Sequence, residues 1–244
     1  SIGEHCFEGC TFLKKIEIPN SITEITEGLF INCSSLEDII IPSSLLSVGV
    51  SAFKNCTSLN QIEIPSSVKS IGDYCFEECS SLKKVEIPNS ITKISEGLFS
   101  KCASLEEIII PSSVLSVGIY SFYKCDSLKK ISAPQNIMKQ FYNYFCMFMN
   151  GTKVSKDLEE AKRLGKFIID HKDVNLMKHF YFLIKNAGFI KEKKQYYKIL
   201  AEKGEVNSMY QYAKMHEKEN RIESNDKKAN DYYKLAADNG KIEA

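Results

Sequence analysis

Apolar and polar positions over residues 1–134 repeat with a 23-residue period. Every unit contains an alternating apolar segment, a proline, two aliphatic residues, a phenylalanine and a cysteine in the same order. A fixed period of this length is typical of a solenoid, in which each unit buries its apolar side only against its neighbours. The marker positions are Pro19, Pro42, Pro65, Pro88, Pro111 and Pro134; Phe7, Phe30, Phe53, Phe76, Phe99 and Phe122; and Cys10, Cys33, Cys56, Cys79, Cys102 and Cys125.

One unit, residues 82–102, illustrates the elements that the pattern predicts. Leu82, Val85 and Ile87 suit a short strand whose alternate side chains point inward. Pro88 lacks a backbone N–H and is expected to end that strand. Aliphatic residues then return to the core, the phenylalanine fills the interior from a short helical turn, and the cysteine closes the coil. The pattern therefore predicts an α/β solenoid with a parallel sheet on one face.

The wording of the repeat resembles the BspA-type subfamily of leucine-rich repeats. Its consensus reads Leu-x-x-Ile-x-Ile-Pro, followed by Ile-Gly-x-x-x-Phe-x-x-Cys. The resemblance covers residues 1 to about 135 in six successive units, and we assign residues 1–137 to this domain. Many BspA-like proteins are surface-associated adhesins or antigens of bacteria and anaerobic protists, so the resemblance also implies that adhesion at a cell surface is an alternative role.

A longer period, equal to three of these units, is superimposed on the first. Residues 1–65 and 70–134 match at most positions when the first three units are aligned with the last three. Cys6 recurs as Cys75, and Ile40 recurs as Ile109. We interpret this second period as the duplication of a three-unit block.

The outward positions of the predicted strands form the candidate protein-binding surface, because repeat proteins recognise partners through extended surfaces. Basic and acidic strands alternate, so pairing of these charges across the sheet is the alternative explanation. Ile40 and Ile109 differ from the rest, since exposed apolar groups tend to mark contacts, although sheet edges or irregular twist could cover them. The candidate residues are Lys15, Glu17, Asp38, Ile40, Gln61, Glu63, Lys84, Glu86, Glu107, Ile109 and Lys130.

From about residue 135 the apolar positions follow the spacing of helices. Phe141, Tyr144, Phe145 and Phe148 lie at i, i+3, i+4 and i+7, which predicts one apolar helix face. Asp157 is a candidate N-cap of a second helix that runs to Ile169. The expected inward residues of that second helix are Leu158, Ala161, Leu164 and Ile168.

Two segments of this helical part resemble the Sel1-like repeat, a relative of the tetratricopeptide repeat that serves in adaptor scaffolds. They are residues 228–240, which read KANDYYKLAADNG, and residues 144–161. The resemblance implies an all-α helical-repeat solenoid over residues 138–244, with about three repeats and the last one truncated. The middle repeat, residues 173–204, departs from the pattern at Lys193, where an alanine is expected.

Charge and composition exclude some classes of partner. Of 244 residues, 43% are hydrophobic and 26% charged, as in a folded globular protein. Residues 1–137 carry 11 basic against 16 acidic residues, a net charge of −5, and the remainder carries 21 against 15, a net charge of +6. Neither part has the dense basic stripe of a nucleic-acid-binding protein. No apolar run approaches the ~20 residues of a membrane span, and both chain ends fall inside repeats, which suggests a fragment.

Nine cysteines invite two interpretations, a ladder of buried thiols or a set of disulfide or metal sites. Six of the nine follow the repeat, no histidine shares their period, and the spacings typical of zinc sites are missing. These facts favour buried thiols, and many unpaired thiols favour a cytoplasmic location. The BspA-like resemblance keeps the cell surface open as the alternative.

No recognisable catalytic motif is present. The chain lacks a glycine-rich phosphate loop, a G-x-S-x-G elbow, an H-E-x-x-H pair and a calcium loop, and its four histidines are scattered. We therefore expect no cofactor and no enzymatic activity. The leading hypothesis is a scaffold that binds protein or peptide partners, and the alternative is a cell-surface adhesin or antigen that binds a host protein or glycan.

Overall fold

The computed structural model describes residues 2–185, 188–219 and 227–240. The chain divides into two compact units, Ser1–Tyr144 and Phe145–Ala244. The dividing point lies inside a helix that begins at Gln135. The domain boundary after residue 137 stays a prediction.

The first unit is a coil of short parallel strands, two in each full turn of the chain. In chain order, the strands are β1 Lys15–Glu17, β2 Glu24–Ile25, β3 Asp38–Ile40, β4 Ser47–Val48, β5 Gln61–Ile62, β6 Ser70–Ile71, β7 Lys84–Val85, β8 Lys93–Ile94, β9 Glu107–Ile109, β10 Ser116–Val117 and β11 Lys130–Ser132. The odd-numbered strands follow one face, as the sequence predicts. The even-numbered strands form a second ladder that the sequence analysis did not anticipate.

Strands pair in parallel with their equivalents one repeat further along the chain. On the first face β1 pairs with β3, β5 with β7, and β9 with β11, so that Lys15 lies opposite Asp38 and Gln61 opposite Lys84. On the second face β2, β4 and β6 form one ladder and β8 and β10 another. The sequence period thus sets the register, because every residue faces its equivalent in the next coil.

The third side of each coil is an irregular segment, not the helical turn that the sequence predicts. In one coil the N–H groups of Gly97, Phe99 and Lys101 donate to carbonyls of the following coil at 2.6–3.0 Å. Gly97 and Lys101 both have φ near +60°. Two left-handed residues only four positions apart are incompatible with a right-handed helix. The first unit is therefore a β-solenoid, and the α/β class expected from the sequence is wrong in this respect.

Six phenylalanines form a continuous stack along the solenoid axis. Neighbouring rings lie 5.4–5.8 Å apart with planes within 17° of parallel. The members of the stack are Phe7, Phe30, Phe53, Phe76, Phe99 and Phe122. Apart from Phe7, which is half-buried, all are buried. Offset stacking adds to the free energy gained by removing these rings from water.

Aromatic rings on the irregular side lie over glycines of the next coil. A Cβ added to Gly97 would come within 2.2 Å of the Tyr74 ring, and one added to Gly28 within 2.3 Å of the His5 ring. His5 and Tyr74 are equivalent in the three-unit duplication, as are Gly28 and Gly97. The three-unit period therefore preserves a packing pair, a ring over a glycine.

The helix α1, Gln135–Asn150, covers the exposed edge of β10 with its N-terminal half. The Gln140 side chain accepts the N–H of Val117 at 2.9 Å and donates to the carbonyl of Leu115 at 3.0 Å. The hydroxyl of Tyr144 donates to the carbonyl of Val117 at 2.5 Å. Gln140 follows Val117 by one repeat length, so its amide takes the place of the strand that a further coil would supply. Unpaired strand edges promote aggregation. The Gln140 amide provides hydrogen-bond partners for backbone groups at the edge of β10.

Replacing Gln140 with leucine is expected to lower the free energy of unfolding of the first unit by about 1 kcal/mol, because the partly buried N–H of Val117 loses its acceptor and the carbonyl of Leu115 loses one of its two side-chain donors. Leucine and glutamine have similar helix propensities, so α1 itself should persist. Hydrogen exchange at the Val117 amide measures the effect and should become faster. Lys139→Leu, at an exposed neighbouring position of α1, is the matched control. Equal effects of the two substitutions would contradict the capping role.

The second unit is helical. Its helices are the end of α1 followed by α2 Leu158–Asp170, α3 Val174–Ile184, α4 Ile190–Glu202, α5 Val206–Glu219 and α6 Lys227–Asp238. Asp157 caps α2 by accepting the N–H groups of Glu159 and Glu160, as the sequence predicts. Ala161, Leu164 and Ile168 are buried. The expectation for Leu158 is wrong, because this first residue of α2 is exposed.

Close helix contacts in the second unit depend on small residues and aromatic rings. A Cβ added to Gly165 of α2 would lie 2.7 Å from the ring of Phe180, which in turn packs on Phe145 with the ring centroids 4.8 Å apart. Ala201, Met209 and Ala236 form the shared core of α4, α5 and α6. A β-solenoid followed by helices is thus established, and the Sel1-like character of these helices stays a prediction.

Candidate functional site

The strand face consists of the outward side chains of the odd-numbered strands and of the residues that directly follow β5 and β7. All eleven candidate residues lie on it and are exposed. Their backbones are held in place by the parallel pairing, while the alternate inward residues, such as Ile39, Ile62 and Val85, are buried. The structure thus brings the eleven together on one surface, and their role in binding stays a prediction.

Ion pairs between neighbouring coils occupy the two ends of the strand face. Lys15 of β1 contacts Asp38 of β3 at 2.7 Å. At the other end Lys130 contacts Glu107 at 2.7 Å. The hydrogen bond from Lys15 to the Asp38 carboxylate raises the pKa of the lysine above its ordinary value. The alternative explanation of the alternating charges, pairing across the sheet, therefore applies at both ends.

The middle of the strand face differs from its ends. Lys84 pairs within its own segment with Glu86, at 2.7 Å, and both side chains are more than three quarters exposed. Within the described part of the chain, Glu63 and Lys83 take part in no ion pair. The charges here are therefore not neutralised between coils.

Two grooves lie along this middle part. One of about 320 Å³ lies over the paired strands β5 and β7 and is lined by Gln61, Ile62, Glu63, Ile64, Lys84, Val85 and Glu86. The other, of about 660 Å³, separates β7 from β9. Its lining includes the apolar residues Val85, Ile87, Ile109 and Pro111 together with five charged residues. The larger groove coincides with a gap in the ladder, because β7 and β9 share no strand pairing.

Ile40 and Ile109 are exposed, by 44% and 64% respectively. Neither isoleucine is covered by a sheet edge or by irregular twist of the solenoid. A second pair with the same three-unit separation, Leu46 and Leu115, is exposed beside the second ladder, by 51% and 70%. These leucines were not among the predicted binding residues, although the duplication period relates one to the other.

The row of cysteines forms a ladder of buried thiols. The Sγ atoms of Cys33, Cys56, Cys79, Cys102 and Cys125 each donate to a phenylalanine carbonyl of the preceding coil at 3.0–3.3 Å. Burial raises the pKa of Cys33 to about 11 and raises those of Cys79 and Cys102 well above the ordinary value. These cysteines fill space and satisfy carbonyls, as the buried-thiol interpretation requires.

The model of the BspA-type leucine-rich repeat region matches six copies in this chain, over residues 1–102 and 47–160. The chain belongs to this family. Six copies of this repeat account for the 23-residue period of the first unit.

Solved structures include leucine-rich repeat proteins that resemble this BspA-type chain. One from Bacteroides ovatus is 38% identical with a TM-score of 0.54, and the match covers 55% of this chain and 35% of that one. One from T. pallidum is 24% identical with a TM-score of 0.42 over 58% of this chain and 74% of that one. No curated protein matches the chain.

A Sel1 repeat protein from Oxalobacter formigenes is also similar, with 24% identity, a TM-score of 0.28 and coverage of 45% of this chain and 46% of that one. A likeness of this size does not assign the helices to the Sel1-like family. The chain spans about a third of the length of the Bacteroides protein.

The most buried carboxylate of the solenoid, that of Glu77, connects neighbouring coils. Glu77 accepts hydrogen bonds from Lys54 at 2.9 Å and from Lys101 at 3.2 Å, which joins three successive coils. Burial alone would raise the pKa of Glu77, but the two ammonium groups outweigh it and hold that pKa below its ordinary value. The ionised Glu77 carboxylate therefore stabilises the stacking of three successive coils.

Among the described residues, no cluster of three or more His, Cys, Asp or Glu side chains is arranged to hold a metal ion. None of the helices in the described part is long and apolar enough to cross a bilayer. Leucine-rich repeat families are generally non-enzymatic.

Proposed function

We propose that this BspA-type chain is a non-enzymatic scaffold that binds a protein or peptide through the strand face. The observation that carries the proposal is the exposure of Ile40 and Ile109 at equivalent outward positions of a face that is otherwise polar. Full burial of a side chain of this size contributes about 1.5–3 kcal/mol, so covering the exposed 44% of Ile40 and 64% of Ile109 contributes roughly half of that at each position. A partner that covers both would gain most of its affinity there.

The solenoid supplies the rigidity that such recognition needs. Every coil pairs through at least one strand with a neighbouring coil, and backbone hydrogen bonds join the coils on the irregular side. Few residues therefore need to become ordered on binding, which reduces the entropic cost of association. Exposed charges around the isoleucines supply specificity, because like charges across an interface disfavour wrong partners.

Selection of a random displayed peptide library on the whole chain tests this proposal. Peptides recovered on the native chain are measured against the double variant Ile40→Glu/Ile109→Glu. The matched control is Leu46→Glu/Leu115→Glu, which changes two exposed apolar residues with the same separation on the other ladder. We expect the first variant to weaken binding at least tenfold and the second to change it less than twofold.

Loss of binding in the leucine variant alone would move the site to the second ladder and overturn the proposal. Equal loss in both would indicate a general effect of charge, not a site. The same variants on a glycan array address the adhesin alternative, since binding of glycans without binding of any peptide would favour that function instead.

A further inference from the structure

We propose that the middle of the strand face takes an extended peptide segment with a basic residue placed between two apolar residues, each two positions away. This inference rests on the proposed function and specifies its ligand. It follows from a column of side chains that the register aligns across the coils, namely Glu17, Ile40, Glu63, Glu86 and Ile109.

The spacing of the column matches an extended chain. Ile40 and Ile109 are three coils apart, and neighbouring strands lie about 4.8 Å from each other, which gives a separation of about 14 Å. An extended peptide rises about 3.4 Å per residue, so residues i and i+4 lie about 14 Å apart on one side. An α-helix fits less well, because its same-face residues i+7, i+8 and i+11 lie about 10.5, 12 and 16.5 Å away.

The two column residues between Ile40 and Ile109 are acidic. Glu63 and Glu86 fill the two intermediate coils of the column, and both line the groove of about 320 Å³ between β5 and β7. Residue i+2 of the peptide would lie midway between them, about 7 Å from either end. A lysine or arginine at that position would contact two carboxylates, whereas an acidic residue would be repelled.

Competition from the protein's own lysine is weak at this place. Lys84 and Glu86 are both highly exposed in their pair, and exposed pairs of this kind contribute little to stability. Glu63 has no ion-pair partner within the described residues. A bound basic side chain can therefore engage Glu63 without breaking an existing contact and share Glu86 with Lys84.

The apolar end of the ligand has a recess next to the acidic position. The groove of about 660 Å³ between β7 and β9 is lined by Ile87, Ile109 and Pro111, with Glu86 on its border. An apolar residue two positions beyond the basic one would reach this groove. The flanking coils differ, because Lys15 pairs with Asp38 at one end, and Lys129 and Lys130 pair with Glu106 and Glu107 at the other.

Synthetic peptides test the inference by fluorescence anisotropy on the full chain. The probe carries the core Ile-Thr-Arg-Thr-Ile between Gly-Ser ends, and the comparison peptides replace arginine with glutamate or both isoleucines with alanine. We expect each replacement to weaken binding at least tenfold. Glu63→Lys should weaken binding of the arginine peptide at least tenfold and strengthen binding of the glutamate peptide.

The matched control is Glu17→Lys, which makes the same change in the same column two coils away, and it should alter binding less than twofold. Equal affinity of the arginine and glutamate peptides, or equal effects of the two lysine variants, would overturn the inference. Library peptides that depend on Ile40 and Ile109 but lack the basic residue would overturn it while the proposed function stands. If no peptide depends on the isoleucines, the proposed function itself fails.

Discussion

Replacing Phe76 with alanine is expected to lower the free energy of unfolding of the first unit by about 3–5 kcal/mol. Phe76 is fully buried at the middle of the phenylalanine stack, 5.4 Å from the ring of Phe53 and 5.6 Å from that of Phe99. Each coil contacts only its neighbours, so a cavity at this point interrupts the core between the two halves of the solenoid.

Urea titration of the whole chain, followed by hydrogen exchange and mass spectrometry, measures this cost segment by segment. Amides of the third to fifth coils should lose protection first. Phe12→Ala, at a residue that is 94% exposed, should change the free energy of unfolding by less than about 0.5 kcal/mol. Phe7→Ala should have an intermediate effect, because Phe7 stacks on Phe30 alone. A cost at Phe76 no larger than that at Phe12 would show that the stack contributes little.

Raising the pH from 8 to 10 is expected to destabilise the solenoid steeply through its cysteine ladder. Burial raises the pKa of five thiols, those of the ladder members Cys33, Cys56, Cys79 and Cys102 and that of Cys75, a further buried cysteine of the fourth coil. In the unfolded chain the same thiols ionise near their ordinary pKa of about 8.5–9. Their contribution to stability is therefore fully present below that value and is lost as the pH rises toward the raised pKa.

The size of the effect follows from linkage. One pH unit above the ordinary thiol pKa, each thiol that stays protonated in the folded chain costs on the order of 1 kcal/mol, so the five together cost several kcal/mol. A loss of this size is comparable with the whole stability of a typical domain, about 5–15 kcal/mol. We expect the calorimetric transition of the first unit to move strongly to lower temperature over this range.

Single substitutions separate the thiols from other titrating groups. Cys79→Ala removes one buried thiol and should reduce the slope of stability against pH by about a fifth, whatever it costs at neutral pH. Cys6→Ala removes an exposed thiol and should leave the slope unchanged. An unchanged slope in the Cys79 variant would mean that the ladder does not control the alkaline transition.

The periodic part of the fold could be predicted from residue spacing because a solenoid is locally self-similar. A side chain such as Phe53 or Ile62 meets its own equivalents one repeat away on both sides, so one period specifies register, inward positions and neighbours. The eleven outward positions of the strand face follow by elimination. The same reasoning failed on the irregular side, because two left-handed residues per coil are invisible in the apolar pattern.

The charges of the strand face mark the limit of that reasoning. Sequence alternation alone is compatible with pairing everywhere or nowhere. The structure shows pairs at Lys15–Asp38 and Lys130–Glu107 and, among the residues it describes, shows none between coils at Glu63. Side-chain reach and the gap in the ladder between β7 and β9 decide which partners meet, and neither is encoded in spacing.

By itself, the sequence determined the period, the register, the stacked core and the ladder of thiols, since each arises from contacts that recur at a constant separation along the chain. Only the tertiary structure decided how the second strand ladder ends and where the charges of the strand face stay unpaired between coils. Gln140 replaces a strand by folding a helical side chain onto Val117, and Leu158 begins its helix exposed. Such contacts occur once, between elements of different geometry, so the repeat pattern of the sequence does not predict them.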